Sequence, residues 1–161
     1  MFIQNALCIF AYMITGYFDG ACEPKNPNGH MGIGAILFDN DEIIHKHSKC
    51  IKFGEDGFTS TSNNVAEYLA FINLIEKLIE LNYHERNIIL YGDSKLVVEQ
   101  MLGNWRIKKG IYVEHAWKAK KLLASFKKIN IQWIPREKNQ IADDLSKLKM
   151  FERGVEFKIQ A

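Results

Sequence analysis

Asp19, Glu67, Asp93 and Asp143 stand where carboxylates can do chemistry rather than only meet solvent. Thr15-Gly-Tyr-Phe-Asp19 reads as a strand ending at an acid, and Asn87-Ile-Ile-Leu-Tyr91 as a strand closed by Gly92-Asp93. Glu67 falls in the first turns of a mostly apolar helix, and Asp143 near the start of the last helix. In sheets with helical crossovers, ligands gather at the carboxyl ends of the strands. Asp19 and Asp93 converge there if their strands are parallel neighbours, and the two helix acids complete a cluster from above. Four gathered carboxylates repel and raise one another's pKa, so only cations make the cluster reasonable. Oxygen-only ligands favour Mg²⁺ or Mn²⁺ over zinc, and four negative charges match two divalent ions. Such a pair activates a water and stabilises a leaving oxygen in phosphodiester cleavage. Taken singly, each acid also has an ordinary reading. Asp19 and Asp93 suit turns or caps, Glu67 suits a helix N-terminus, and Asp144 competes with Asp143 for the inward position.

The elements that must position these acids are legible from pattern. The segment Cys22–Gly29 (CEPKNPNG) is a loop, punctuated by two prolines, two asparagines and a glycine. Gly32–Phe38 is a second strand, 39–41 a hairpin turn, and Glu42–Ile51 a third strand. Ser62-Asn63-Asn64 offers helix caps, and Val65, Leu69, Ile72, Ile75 and Ile79 recur at helical spacing up to about Leu81. Ser94 caps a short helix to about Leu102, Val113–Phe126 is another helix, Ile129–Ile134 a fifth strand, and Asn139–Met150 the last helix. The order βββαβααβα predicts an α/β fold with one mixed five-stranded sheet flanked by helices.

Length and composition agree with one globular domain. The chain has 161 residues, 47% hydrophobic and 25% charged, with a net charge of +2, which excludes disordered, collagenous and disulfide-scaffold classes. Cys8, Cys22 and Cys50 are widely spaced, with no metal-binding pair, and read as free thiols of a reducing, cytoplasmic compartment. The domain is expected over residues 13–150, with a tail over 151–161. Residues 1–12 are apolar and uncharged. They read as a mis-assigned start with Met13 the true first residue, as an extension packed on the domain, or as a membrane anchor; they are short for a span and lack a signal peptide's basic start. No obligate protein partner is evident.

The chain resembles the type 1 ribonuclease H family, in particular its compact archaeal-type members. The resemblance is carried by Tyr-Phe-Asp19-Gly-Ala-Cys22-Glu-Pro-Lys-Asn26-Pro-Asn-Gly29, Thr61-Ser-Asn63-Asn64-Val-Ala-Glu67-Tyr and Gly92-Asp93-Ser94-Lys-Leu-Val. The last segment is Trp133-Ile-Pro-Arg136-Glu-Lys-Asn139-Gln-Ile-Ala-Asp143-Asp-Leu-Ser. The resemblance implies a ribonuclease H-like fold and hydrolysis of the RNA strand of RNA/DNA hybrids by four acids on two Mg²⁺ ions, leaving 5′-phosphate and 3′-hydroxyl ends. It assigns Asp19, Glu67, Asp93 and Asp143, the last because Asn139, Asp143 and Leu145 fit the family's spacing. In that scheme Asp19 bridges both ions, Glu67 and Asp93 complete one site, and Asp143 holds the other. Gly20, Cys22, Asn26, Asn63, Asn64 and Ser94 are expected to line the hybrid groove, where the 2′-OH distinguishes RNA from DNA. Gly20 permits close backbone approach.

Some positions depart from the family. Arg136 occupies the loop where many members carry a histidine, and Lys95 stands where a glutamine is common. Residues 103–112 are too short for the bacterial basic protrusion. Eight basic residues lie between Trp105 and Lys128 against Glu114 alone, interleaved with Trp105, Tyr112 and Trp117, a mixture that suits a phosphate backbone. Double-stranded RNA cleavage and a non-catalytic hybrid-binding module remain the alternatives, with strand transfer on the same fold a third.

Overall fold

The computed structural model describes residues 13–158. The expectations for residues 1–12 and for Cys8 lie outside them. Strands β1 (Met13–Glu23), β2 (His30–Asp39) and β3 (Glu42–Ile51) come first, then α1 (Asn63–Glu80), β4 (Asn87–Gly92), α2 (Lys95–Met101), α3 (Val113–Leu123), β5 (Ile129–Trp133) and α4 (Gln140–Glu152). One-turn 3₁₀ segments lie at Glu55–Gly57 and Arg136–Lys138. The sheet order is β3-β2-β1-β4-β5, with β1, β2 and β3 antiparallel and β4 and β5 parallel to β1. The expected βββαβααβα order and mixed five-stranded sheet are therefore present.

Sequence explains most of these elements locally. Met31–Leu37 of β2 is buried throughout, as a strand covered on both faces must be. In α1, Val65, Tyr68, Phe71, Ile72, Ile75 and Leu78 are buried at helical spacing. The Ser62 hydroxyl accepts a hydrogen bond from the Val65 amide at 3.1 Å, and Ser94 caps α2 by accepting from Val97 at 3.3 Å. Ser62, not Asn63, is thus the α1 cap.

Several boundaries differ from the sequence reading, and β2 is longer at both ends, His30–Asp39. Strand β1 does not stop at Asp19 but runs on to Glu23, because its second half keeps pairing with β2, down to Glu23 opposite His30. The expected loop therefore begins only at Pro24. Helix α3 ends at Leu123 rather than Phe126, and α4 runs from Gln140 to Glu152 rather than from Asn139 to Met150. Beyond α4 the tail turns through Gly154, and Val155 is buried beside Met150 and Cys50. The segment 103–112 carries no helix, as expected.

Two helices lie on opposite faces of β1 and β2. Successive strand residues point to opposite faces. Phe18 meets Phe71 of α1 edge-on at 5.2 Å, and a Cβ on Gly20 would overlap the Ala66 and Glu67 backbone of the same helix. Asp19 pairs with Gly34 on the other face. There a Cβ on Gly34 would overlap the Ala142 carbonyl and Ser146 amide of α4, and one on Gly32 would overlap Ser146 and Met150. Helices α2 and α3 join α1 on its face.

The glycines therefore set how closely each helix seats. Gly34→Ala is expected to lift α4 from the sheet and lower unfolding free energy by about 1–3 kcal/mol, as overpacking does. Urea unfolding followed by circular dichroism reads this directly, and an unchanged midpoint would contradict the contact.

Candidate active site

The parallel register of β1 and β4 ends at Phe18 opposite Gly92. The next residue on each strand is an acid, so Asp19 and Asp93 emerge side by side where the strands part. Asp19 is thus not a strand end but the first β1 residue beyond β4. Glu67 joins them from α1, whose backbone sits directly on Gly20. The close approach that Gly20 permits is therefore to α1 itself. Carboxylate oxygens of Asp19, Glu67 and Asp93 all lie within 4.8 Å of one another.

This trio is poorly solvated. Asp19 and Glu67 are buried and Asp93 is half-buried. Burial, then the Asp93 charge, pushes Asp19 up to about 7. Burial, then the neighbouring Asp19, holds Glu67 well above the ordinary carboxylate range. Burial also raises Asp93. One Glu67 oxygen, Oε2, is buried with no hydrogen-bond partner. Ser146 reaches Asp19 only at 3.5 Å and donates at 2.7 Å to the Asp143 carbonyl. A buried, mutually repelling set of oxygens with an orphaned acceptor fits a hard divalent cation.

Asp143 lies outside this tight group of oxygens but faces the same cavity, close enough to Asp19 to help raise it. It is buried, whereas Asp144 is exposed and accepts from Gln140 at 2.8 Å. Asp143 is thus the inward acid of the pair. Its Oδ2 lies 3.1 Å from Lys147 Nζ and its Oδ1 3.9 Å from Arg136 Nη2.

The four acids line one cavity of about 520 Å³ together with Gly20, Cys22, Asn26, Asn63, Ser94 and Arg136. Asn26 and Asn63 form a fork: Asn26 Oδ1 accepts from the Asn63 amide at 3.0 Å while its Nδ2 donates to Asn63 Oδ1 at 2.8 Å. The Cys22 thiol is buried, which raises its pKa, and it donates to the Lys25 carbonyl at 3.3 Å. One expected groove residue, Asn64, does not line the cavity, and neither does the auxiliary candidate Asn139. Asn64 is half-buried on the next position of α1. Asn139 is buried beneath the site, where its Nδ2 donates to the Phe18 carbonyl at 2.9 Å, tying the start of α4 to β1 beside Asp19.

Sequence reasoning missed Trp133 and Lys147, which also line the cavity. Trp133 pairs with Gly92, one residue before Asp93, and its indole donates to the Asp93 carbonyl at 3.1 Å. Lys95 Nζ sits 4.9 Å above its ring. Lys147 was findable as the residue one helical turn after Asp143. The basic segment is less free than its local count implied. Glu76 pairs with Lys118 at 3.0 Å and Glu85 with Lys127 at 3.1 Å, both acids coming from outside the segment. Among the described residues no helix is long and apolar enough to cross a membrane.

Comparison with known proteins agrees with this geometry. The family model described as reverse transcriptase-like matches residues 17–149. A bifunctional protein of Mycobacterium tuberculosis (strain ATCC 25618 / H37Rv) is 35% identical over 121 residues, covering 75% of this chain and 31% of the relative. Ribonuclease HI of Halobacterium salinarum is 32% identical over 133 residues, covering 83% of this chain and 62% of that protein. The chain thus spans about a third of the length of the first relative and under two thirds of the second. The solved structure of LC11-RNase H1 in complex with RNA/DNA hybrid superposes with a TM-score of 0.75 at 30% identity, covering 87% of this chain and 98% of that one. With the family model matching residues 17–149 and the fold superposing on a solved RNase H1 over 87% of this chain and 98% of that one at 30% identity, the chain belongs to the reverse transcriptase-like family and, within it, to the type 1 ribonuclease H group.

Proposed function

We propose that the protein is an endoribonuclease that hydrolyses the RNA strand of RNA/DNA hybrids, leaving 5′-phosphate and 3′-hydroxyl ends. The observation that carries this reading is the crowded trio of buried Asp19 and Glu67 and half-buried Asp93, which no salt bridge joins to a lysine or arginine among the described residues, with Asp143 in the same cavity. A module that only bound hybrid would gain nothing from such repulsion. The domain that does this work is residues 13–150.

Asp19, Glu67 and Asp93 would hold one divalent cation, and Asp143 with Asp19 a second. Oxygen-only donors favour Mg²⁺, with Mn²⁺ able to substitute. When bound, such ions supply Lewis acidity to an attacking water and to the leaving oxygen. The chain's own residues do the rest. Asn26 and Asn63 present a fixed amide fork to the groove, where hydroxyl and base-edge contacts distinguish RNA. Gly20, Cys22 and Ser94 shape the cavity, and Arg136 reaches its mouth as a contact for phosphate. Asn139 positions Asp143 relative to Asp19 through the Phe18 carbonyl. Buried free thiols at Cys22 and Cys50 support a reducing, cytoplasmic setting.

Asp93→Asn removes a half-buried charge without removing a packing group. It is expected to cut hybrid cleavage by about three orders of magnitude while the protein stays folded and binds hybrid. A fully active variant would sink the site.

Substrate class follows from one RNA sequence presented to DNA, to RNA, or alone, with Mg²⁺ or with chelator. Chelator-sensitive cutting of the RNA only in the hybrid is the expected result. Cutting of duplex RNA as well would mean a looser reading of the second strand, and binding without cutting would mean a binding module.

The raised carboxylates also predict a pH dependence of the chelated protein. Between the unfolded value near 3.8 and about 7, folded Asp19 holds a proton that the unfolded chain has lost. The folded state binds more protons, so this contribution to stability falls as pH rises through that window. Protons compete with metal for the same oxygens. Mg²⁺ should therefore raise the melting temperature more at pH 8 than at pH 5.5, measured by differential scanning fluorimetry. An equal shift at both pH values would contradict the buried cluster.

A further inference from the structure

The four acids are not equivalent in charge environment. No salt bridge joins Asp19, Glu67 or Asp93 to a lysine or arginine among the described residues, whereas Asp143 has two cationic neighbours. Lys147 Nζ lies 3.1 Å from Oδ2 and Arg136 Nη2 3.9 Å from Oδ1, with Gln140 Nε2 at 3.4 Å from Oδ2. Asp143 is also the acid that falls outside the group whose oxygens lie within 4.8 Å of one another. The four carboxylates thus divide into a trio with no salt bridge among the described residues, where only Asp93 feels Arg136 at longer range, and an acid that the protein itself ion-pairs.

We propose that Lys147 is a resident counter-ion that closes the Asp143 half of the site to a divalent cation. The Asp19–Glu67–Asp93 half fills first, and a second ion must displace the ammonium. This rests on the reading that the acids hold metal. Lys147 follows Asp143 by one helical turn, the orientation in which an acid and a base on one helix face attract. The lysine side chain is more than a third exposed, so the pair is a weak bond that yields to competition. Both Lys147 and Arg136 line the catalytic cavity, so a phosphate entering that space draws the same two cations away from Asp143. Binding of a phosphodiester and loading of the second ion then favour each other, as linked equilibria must. Lys147 is on this account a positioning residue that acts through Asp143.

The test is Mn²⁺ titration of the full chain without nucleic acid, by calorimetry and by electron paramagnetic resonance of free Mn²⁺. The wild-type protein should take one ion well and a second weakly. Lys147→Met keeps the stem and removes the charge. It should tighten the second step by about fivefold or more, the low end of coupling between adjacent sites, and leave the first nearly unchanged. Lys147→Gln should behave alike if the methionine variant folds poorly, and Asp143→Asn should lose the second step. Lys149→Met, which breaks only the surface pair with Glu152, is the charge-matched control and should change neither step. A lysine with a merely structural role would weaken binding when removed, not strengthen it. An unchanged or weaker second step in both Lys147 variants overturns the proposal. Absence of any tight ion in the wild-type protein would overturn the metal reading of the whole site instead.

Discussion

Buried negative charge is the constraint around which the rest of the molecule is arranged. Asp19 and Glu67 are nearly excluded from water, Asp93 half so, and their oxygens crowd together. Such a cluster opposes folding until a cation arrives, because each carboxylate loses hydration and gains a repelling neighbour. The surrounding structure must therefore hold it, and packing carries much of that load. Phe18 before Asp19, Ala66 and Tyr68 beside Glu67, and Leu90 below Asp93 are all essentially fully buried. Each acid is thus anchored by an apolar neighbour on its own element, at about 1.5–3 kcal/mol for each large side chain removed from water.

Glycine placement converts that packing into geometry. Gly20 lets α1 rest on β1, which puts Glu67 beside Asp19. Gly32 and Gly34 let α4 rest on β2, on the opposite face, which puts Asp143 at the same end of the sheet. The two helices approach from different sides, yet their acids meet because β4 stops pairing with β1 after Phe18 and leaves the strand end open. A one-residue slip of β1 against β4 would separate Asp19 from Asp93 and turn Asp19 to the other face.

Much of this was legible in the sequence because it depends on local pattern. The β3 limits, the α1 start after Ser62 and the Asp93–Ser94 strand-to-helix junction follow from alternation, apolar spacing and capping chemistry. What was not legible depends on pairing between distant segments. Nothing local says that β1 continues to Glu23, since its pairing with β2 decides that. Nothing local separates Asn63, which faces the cavity, from Asn64, which does not. Likewise the charges of Lys118 and Lys127 look free in sequence and are met by Glu76 and Glu85 only after folding. Asn139 stands out through its spacing to Asp143, but only the fold shows its buried hydrogen bond to Phe18, which makes it a brace.

The hydrogen bonds around the acids suggest why the site keeps its shape with so much repulsion inside it. The Asp93 carbonyl accepts from the Trp133 indole on the next strand, and the Phe18 carbonyl, just before Asp19, accepts from Asn139 at the start of α4. Asn63 is locked to Asn26 across the loop that follows β1. In each case the brace grips backbone or amide, not the carboxylate. No salt bridge among the described residues claims the trio's carboxylates, and Glu67 Oε2 has no hydrogen-bond partner, while the main chain that carries them is fixed. Preorganisation of this kind puts the positioning cost into folding rather than into catalysis. Asp143 is the exception, since Lys147 grips its carboxylate itself. An acid braced through its backbone has only protons as rivals to a cation, whereas an acid held through its carboxylate must also give up the partner that holds it. The division between the two halves of the site therefore lies in which atoms the protein chooses to hold.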